Sequence, residues 1–295
     1  MANINRRTLL GAAAAGGLFQ VRGQQAGMRL GIILGVPAEP DNAIRRVHEL
    51  GFPTCQVLVQ DTSDAAARNL RRALDQHGVE ATSAVATGPA PEVYDFYQGP
   101  ATIGLVPRQY RLQRITRFKA VSDFATKAHI LAVQGHCGFI PENPIDPLYQ
   151  ETVEAIREVA AHCRKNGQQF RCETGQETPI TLVRAIRDVG LDNVGVNFDA
   201  ANLILYGKAN PVDAVDTLTP YIQGIHAKDG LYPTDPKRLG QEVPIGAGKV
   251  DFPALIAKLK QIGYHNPLTI EREISGEKQT ADILAAKAYL EKLIG

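Results

Sequence analysis

The feature that most constrains this 295-residue chain is a regular alternation of short apolar runs with longer amphipathic segments. Runs rich in Val, Ile and Leu predict buried strands, and apolar residues three or four positions apart predict helices. Strands that alternate with helices form a parallel sheet, and eight such units in about 270 residues predict a single closed (β/α)₈ barrel. The eight strand candidates are Arg29–Val36, Thr54–Gln60, Glu80–Thr87, His129–His136, Gln168–Thr174, Asn193–Asp199, Tyr221–Lys228 and Pro267–Glu273.

A helix candidate follows each strand candidate. Thr178-Pro179, Asn210-Pro211 and Asp251 ahead of Pro253 each place a capping side chain beside a proline, which is typical of a helix start. An open doubly wound sheet is the alternative, but no G-x-G-x-x-G follows the first strand and the sequence contains no P-loop. One predicted helix carries an apolar stripe of Leu112, Ile115, Phe118, Val121 and Phe124.

The N-terminus is predicted to lie outside the fold. The twin arginine Arg6-Arg7 is followed by an uncharged run, Leu9 to Phe19, that is rich in Ala, Gly and Leu. This pattern is typical of a twin-arginine export signal, and the run is too short to span a bilayer. We therefore predict a signal peptide over residues 1–26, a barrel over residues 27–295, and a periplasmic or otherwise exported protein.

Composition narrows the classes of partner. The formal net charge is +1 and the charged residues are spread along the chain, which argues against a nucleic-acid interface. No segment predicts stable membrane insertion. Four cysteines without a C-x-x-C pair predict buried free thiols. Pairing with a second copy through loop and helix faces stays open.

The last four strand candidates end in residues that can hold a metal ion or a proton: Glu173, Asp199, His226 and Glu271. The carboxyl ends of parallel barrel strands meet at one face, where barrel active sites lie. Three carboxylates pressed together repel one another, and a divalent cation removes that conflict. Three oxygens and one nitrogen suit Mn²⁺, Mg²⁺ or Co²⁺, with Zn²⁺ as a further option. The alternative is ordinary ion pairing of these groups with nearby Arg and Lys.

These motifs, in this order, resemble the xylose-isomerase-like TIM barrels, which include ketose 3-epimerases, hydroxypyruvate isomerase, inosose dehydratase and endonuclease IV. The resemblance covers nearly all of the chain after the leader. It implies that Glu173, Asp199, His226 and Glu271 ligate one divalent metal ion, Mn²⁺ first among the candidates. It also implies that Glu173 and Glu271 act as an acid/base pair. The motifs are the Glu173 strand, Asn197-Phe198-Asp199, His226-Ala227-Lys228-Asp229 and Ile270-Glu271-Arg272-Glu273.

Four further residues are predicted to contact the substrate. His136 could donate to a sugar oxygen, although a structural histidine fits its position equally well. Asn202 stands where many family members carry a histidine, and it can hydrogen-bond a hydroxyl but cannot shuttle a proton near neutral pH. Lys228 is expected to neutralise developing charge or to pair with a carboxylate. Arg272 completes the predicted substrate contacts.

Two long connections, Gly88–Tyr110 and Asp229–Val250, leave carboxyl ends of strands and are expected over the mouth, as lids or as variable surface loops. Gly246-Ala247-Gly248 is a weak candidate for a phosphate cradle. Glu142 and Glu177 also lie in loops, and we expect both to be solvated.

Together these features predict a metal-dependent isomerase or epimerase that acts on a small carbohydrate by proton transfer through an enediolate. A lyase or hydratase that acts on 3-keto-glycosides by β-elimination would use the same groups. A non-catalytic carbohydrate-binding barrel is the alternative from another class. An endonuclease-like phosphodiesterase would need more metal ligands and a basic groove, which seven histidines and a net charge of +1 do not offer.

Overall fold

The computed structural model describes residues 27–89 and 91–295, and the predicted signal peptide lies outside them. All eight predicted strands are present and close into a parallel barrel, which confirms the predicted fold. Around the barrel the order is β1, β10, β7, β6, β5, β4, β3, β2, and a small antiparallel hairpin, β8–β9, lies outside it. The strands are β1 Leu30–Val36, β2 Thr54–Val59, β3 Glu80–Val85, β4 Ala132–His136, β5 Gln169–Glu173, β6 Val194–Asp199, β7 Ile222–Ala227, β8 Asp229–Leu231, β9 Gln241–Val243 and β10 Leu268–Ile270.

Helices connect the barrel strands, and the predicted start signals act as caps. Thr178, Asn210 and Asp251 each accept a hydrogen bond from a backbone N–H of the first turn that they precede. The helices are α1 Asp41–Glu49, α2 Asp64–His77, α3 Gly99–Thr102, α4 Arg108–Lys127, α5 Pro147–Lys165, α6 Pro179–Val189, α7 Ala200–Leu205, α8 Pro211–Leu218, α9 Phe252–Gln261 and α10 Glu277–Ile294.

The predicted stripe on α4 is correct except at its first residue. Ile115 and Phe118 are buried, but Leu112 is 76% exposed. Arg111, four residues before Ile115, takes the place of Leu112 on the buried face of α4. The aliphatic stem of Arg111 is partly buried there. The predicted residues are all three positions apart, and because a helix has 3.6 residues per turn, such a series gradually leaves the buried face.

Two layers fill the molecule. Residues such as Val57, Phe170 and Phe198 point outward from the strands into the apolar layer beneath the helices. The alternate residues point into the barrel, where Gln56 and Gln134 form a buried polar layer below the carboxyl ends of the strands. The functional side chains therefore stand on a hydrogen-bonded floor.

All four cysteines are buried and free, as predicted. Within the described part of the chain, none of the helices combines the length and the apolar character needed to cross a membrane.

Candidate metal centre

The structure brings together the four residues predicted as metal ligands. β6 and β7 pair so that Asp199 lies opposite His226, while Glu173 ends β5 and Glu271 follows β10. His226 Nδ1 is 3.0 Å from Glu173 Oε1, 3.1 Å from Glu271 Oε2 and 3.6 Å from Asp199 Oδ2. One donor atom from each residue lies within 4.8 Å of all the others.

The orientation of His226 is fixed from the opposite side of the barrel. Its Nε2 is 2.7 Å from Oε1 of Gln56 on β2, and Nε2 of Gln134 donates to the same oxygen at 2.8 Å. A carboxamide oxygen can only accept, so the imidazole carries a proton on Nε2 and turns Nδ1 toward the carboxylate cluster. Gln56 was not predicted as a functional residue, although a glutamine inside an otherwise apolar strand is a usable signal.

The donor set fits one divalent cation. His226 Nδ1 and Asp199 Oδ2 are buried and form no hydrogen bond, although carboxylate oxygens lie 3.0–3.6 Å from Nδ1 and Lys228 Nζ lies 3.2 Å from Oδ2, and a cation between them would satisfy both atoms. Asp199 uses its other oxygen, Oδ1, to accept from the Asn202 backbone N–H at 2.8 Å and cap α7. Ligands at about 2.1 Å from an ion lie about 3 Å apart when they are neighbours and about 4 Å apart across it, and the distances of 3.0, 3.1 and 3.6 Å from Nδ1 fall within that range. Glu173, Asp199, His226 and Glu271 could therefore hold the ion.

Charge coupling within the cluster is strong. Burial alone would lower the pKa of His226, but the carboxylates of Glu173 and Glu271 raise it well above its usual value. Burial alone would raise the pKa of Glu271, yet Lys228 and His226 hold it well below its usual range. For Asp199 burial outweighs Lys228 and raises the pKa. A proton on His226 therefore competes with a metal cation for the same carboxylates.

Lys228 is only 1% exposed, and three carboxylates surround its ammonium group. Its Nζ lies 3.2 Å from Asp199 Oδ2, 3.0 Å from Glu271 Oε2 and 2.9 Å from Glu273 Oε1. Burial opposes its charge, but these carboxylates raise the pKa of the ammonium well above its usual value. Lys228 thus remains a cation that offsets part of the negative charge beside the metal ligands.

A cavity of about 360 Å³ opens above the cluster. Tyr94 comes from the long loop after β3 and Leu239 from the loop after β7, so both predicted mouth loops reach it. His136 and Asn202 also line it, as the predicted substrate contacts require. The complete lining is Ile33, Leu58, Val85, Ala86, Thr87, Tyr94, Gly135, His136, Glu173, Gln176, Asn202, Leu205, Tyr206, Leu239, Glu271 and Glu273.

Polar atoms in the wall of this cavity are held in place. The ring of His136 meets Tyr94 edge-on at 5.7 Å, and its Nδ1 is buried with no hydrogen-bond partner. The side-chain amide of Asn202 donates from Nδ2 to the Thr174 carbonyl at 3.2 Å. Both side chains are therefore positioned before any substrate arrives.

Arg272 does not line the cavity. Its Nη1 is 2.9 Å from Glu242 Oε1, and its Nε is 2.9 Å from Oδ2 of Asp282 on α10. Along an extended segment neighbouring side chains point in opposite directions, so Arg272 turns outward where Glu271 turns inward. Its carboxylate partners tie the end of β10 to the β9 hairpin and to α10.

The expectation of a phosphate cradle at Gly246-Ala247-Gly248 is wrong. Oδ2 of the buried Asp229 accepts from the N–H groups of Gly246 at 2.9 Å and Gly248 at 3.0 Å. Its Oδ1 accepts from Gly230 and Val250. One internal carboxylate thus takes the donors that a phosphate would need, and it closes the loop after β7.

The expectation that Glu177 is solvated is also wrong, whereas Glu142 is exposed as predicted. Glu177 is 2% exposed, and neither of its carboxyl oxygens has a hydrogen-bond partner. The loop after β5 packs into the molecule instead of crossing its surface, since Thr174 and Gln176 are buried too. Burial raises the pKa of Glu177 to about 8, so this carboxyl is mostly neutral at pH 7.

Comparison with known proteins identifies the family. The family model for xylose isomerase-like TIM barrels matches residues 44–293, so the chain belongs to that family. The crystal structure of a xylose isomerase domain protein from Planctomyces limnophilus is 34% identical and superposes with a TM-score of 0.85, covering 90% of this chain and 97% of that one.

Two enzymes share the fold at lower identity. A D-psicose 3-epimerase, solved in the presence of D-fructose, is 20% identical with a TM-score of 0.68, covering 91% of this chain and 100% of its own. A 3-keto-D-glucoside 4-epimerase from E. coli is 15% identical with a TM-score of 0.66, covering 90% of this chain and 99% of its own.

Proposed function

We propose that this protein is a divalent-metal-dependent sugar isomerase or epimerase that moves a proton at a carbon beside a carbonyl. The observation that carries the proposal is the convergence of Glu173, Asp199, His226 and Glu271 within 4.8 Å, with Nδ1 of His226 turned toward the three carboxylates, beneath a cavity of about 360 Å³. Mn²⁺ is the cation we favour for this oxygen-rich set, ahead of Mg²⁺, Co²⁺ and Zn²⁺. The substrate is a small carbohydrate.

The bound cation would polarise the substrate carbonyl and stabilise the negative charge that develops on its oxygen. Glu173 and Glu271 then supply the proton transfer. Each gives one oxygen to the ligand cluster, and both line the cavity. β6 and β7 separate β5 from β10, so the two carboxyls approach the substrate from different directions.

The charges around these two glutamates suit the base role. Burial alone would raise the pKa of Glu173, but His226 and His136 bring it below its usual value. The pKa of Glu271 is lowered as well, so both carboxyls are ionised near neutral pH and either can accept a proton. An isomerase needs one such carboxylate to carry the proton between neighbouring carbons. An epimerase also needs the second glutamate in its protonated form, so that glutamate first takes a proton from solvent and then donates it on the opposite face.

A lyase that acts on 3-keto-glycosides is the second candidate. Apolar residues from β1, β2 and β3 line one side of the cavity, namely Ile33, Leu58 and Val85, and they could receive an aglycone. The same base would remove the proton beside the keto group, and the substituent on the neighbouring carbon would leave with the released electron pair. The related fold of a 3-keto-D-glucoside epimerase supports a substrate of this kind.

Proton NMR in D₂O distinguishes these activities. The Mn²⁺-loaded protein is mixed with free ketoses and, separately, with a 3-keto-glucoside. Deuterium beside the carbonyl together with a new ketose or aldose supports the isomerase or epimerase, and loss of that proton with release of the aglycone supports the lyase. Sugar binding without exchange or elimination would favour a non-catalytic binding barrel. Glu142→Gln, at an exposed loop residue, is the matched control for variants of the two glutamates.

We further propose that residues 1–26 direct export by the twin-arginine route, on the basis of Arg6-Arg7 and the uncharged run after them. Arg6→Lys with Arg7→Lys in the full chain should retain the protein inside producing cells. Fractionation with an antibody to the barrel tests this, and unchanged export of the double variant would refute it.

A further inference from the structure

Two polar side chains in the cavity wall have no role in the metal cluster. Gln176 is 1% exposed, and both its amide nitrogen and its amide oxygen lack hydrogen-bond partners. Tyr206 is 5% exposed, and its hydroxyl also lacks a partner. Both residues line the cavity. Buried polar atoms are nearly always satisfied in folded proteins, so three unpartnered atoms at one cavity wall indicate a missing polar ligand.

These side chains are held where they are. Gln176 lies in the loop that packs inward after β5, two residues after Thr174, whose carbonyl accepts a hydrogen bond from the Asn202 side-chain amide. Tyr206 ends α7, and its ring meets Phe139 edge-on at 5.7 Å and Phe96 at 6.4 Å. The phenol cannot leave this aromatic contact without losing packing, so Tyr206 stays in the wall of the cavity.

The charge of the wall points to an uncharged ligand. No lysine or arginine lines the cavity in residues 27–89 and 91–295, whereas Glu173, Glu271 and Glu273 do. The nearest buried cation, Lys228, is already shared by three carboxylates. Away from the metal ion, a phosphate or carboxylate on the substrate would find no cationic side chain in this wall and would face Glu273.

Amide and phenol groups together match sugar hydroxyls. A hydroxyl both donates and accepts, and so can a carboxamide beside a phenol. Burial raises the pKa of the Tyr206 phenol to about 12, and the neighbouring Gln176 amide partly offsets that rise, so the two side chains lie close together. Two hydroxyls on neighbouring carbons could therefore bind both side chains at once.

We propose that Gln176 and Tyr206 form a hydroxyl-recognition subsite, and that the substrate is an uncharged sugar or glycoside, not a sugar phosphate. The subsite lies beside the ligand cluster on the walls from β5 and α7, while the apolar residues Ile33, Leu58 and Val85 receive the less polar part of the substrate. This inference rests on the proposed function, because it assumes that the reacting carbon lies over Glu173 and Glu271.

The test uses the Mn²⁺-loaded full chain with the isosteric variants Gln176→Met and Tyr206→Phe. Tyr97→Phe, which alters a 64% exposed tyrosine of the loop after β3, is the matched control. The probes are D-fructose, its 4-deoxy and 6-deoxy analogues, D-fructose 6-phosphate and a methyl 3-keto-glucoside. Calorimetry gives the dissociation constants, and deuterium uptake in D₂O gives KM and kcat. Titration with Mn²⁺ checks that the metal cluster is intact.

We expect at least one neutral probe to bind more tightly than the phosphate. For that probe each variant should weaken binding about tenfold, as expected for a neutral hydrogen bond, with Mn²⁺ affinity unchanged. The loss should shrink for the analogue that lacks the recognised hydroxyl, a coupling that a merely structural defect would not produce.

Two results would overturn the subsite: stronger binding of the phosphate, or variant losses that are equal for parent and deoxy sugars. Failure of every probe to bind would also count against it. If a neutral sugar binds through Gln176 and Tyr206 but takes up no deuterium, the subsite stands and the proposed activity falls.

Discussion

The two sides of the barrel mouth differ in chemistry, although the same strand–helix unit builds both. β5, β6, β7 and β10 end in the cluster of three carboxylates and one imidazole. β1, β2 and β3 instead present Ile33, Leu58 and Val85 to the same cavity. Barrel geometry places every strand end at one rim, and the residue at that end determines whether the position binds charge or shapes a substrate. The charged side is therefore expected to govern catalysis, and the apolar side affinity.

The largest effect should come from the charged side. Glu173→Gln and Glu271→Gln remove the proposed base or acid while keeping the shape of the side chain, and each should lower kcat about 10³-fold. Deuterium uptake at the carbon beside the carbonyl measures the loss. Glu142→Gln should remain at the wild-type rate. Activity within tenfold of wild type in either variant would remove that glutamate from the mechanism.

The next effect concerns stability and Glu177. Because its pKa is raised from 4.5 to about 8 in the folded chain, the protonated form contributes stability that is complete below pH 4.5. That stability is lost as the pH rises toward and past 8, since the unfolded chain then binds fewer protons than the folded one. Glu177→Gln removes this loss. Between pH 4 and pH 9 the stability of the variant relative to wild type should therefore rise by on the order of 5 kcal/mol.

Urea denaturation of metal-free protein at several pH values measures this difference. Glu154→Gln at an exposed position on α5 is the control, because it removes a carboxyl that does not act on Glu177. Parallel stability curves for Glu177→Gln and wild type across this pH range would mean that Glu177 is ionised in the folded protein.

One hydrogen bond joins the two sides of the barrel mouth. Gln56 lies on β2 of the apolar side, yet its Oε1 accepts from Nε2 of His226. Gln56→Met should lower Mn²⁺ affinity by about 10- to 100-fold, because the imidazole loses the partner that fixes its proton and its angle. Calorimetric titration measures it, with Gln76→Met on the surface of α2 as the control. An unchanged Mn²⁺ affinity in Gln56→Met would mean that metal binding depends only on residues of the charged side.

The smallest effect should come from the apolar wall. Leu58→Ala removes part of the surface beside the substrate, and KM should rise by about three- to tenfold with little change in kcat. Mn²⁺ affinity should stay at its wild-type value, as should all parameters of Leu284→Ala at an exposed position on α10. A drop in kcat as large as that of the glutamate variants would erase the proposed division between the two sides.

Local patterns in the sequence determine the fold class and the ends of the strands that form the site. Apolar runs and spacing predicted all eight strands and the closed barrel, and the rule that parallel strand ends share one rim predicted that Glu173, Asp199, His226 and Glu271 would meet. Helix capping at Thr178, Asn210 and Asp251 could also be predicted, because a cap involves only residues within one helical turn.

Only the tertiary structure decided the contacts that barrel closure creates. The bond between Gln56 and His226 joins residues 170 positions apart, and Gly246 and Gly248 face Asp229 instead of an open phosphate site. Glu177 was predicted to be a solvated loop residue, but it is buried. Arg272 points away from the cavity and pairs with Glu242 and Asp282. Sequence spacing determines which way a side chain leaves its own strand. Which distant group meets it depends on how the strands close into the barrel and how the loops fold back over its mouth.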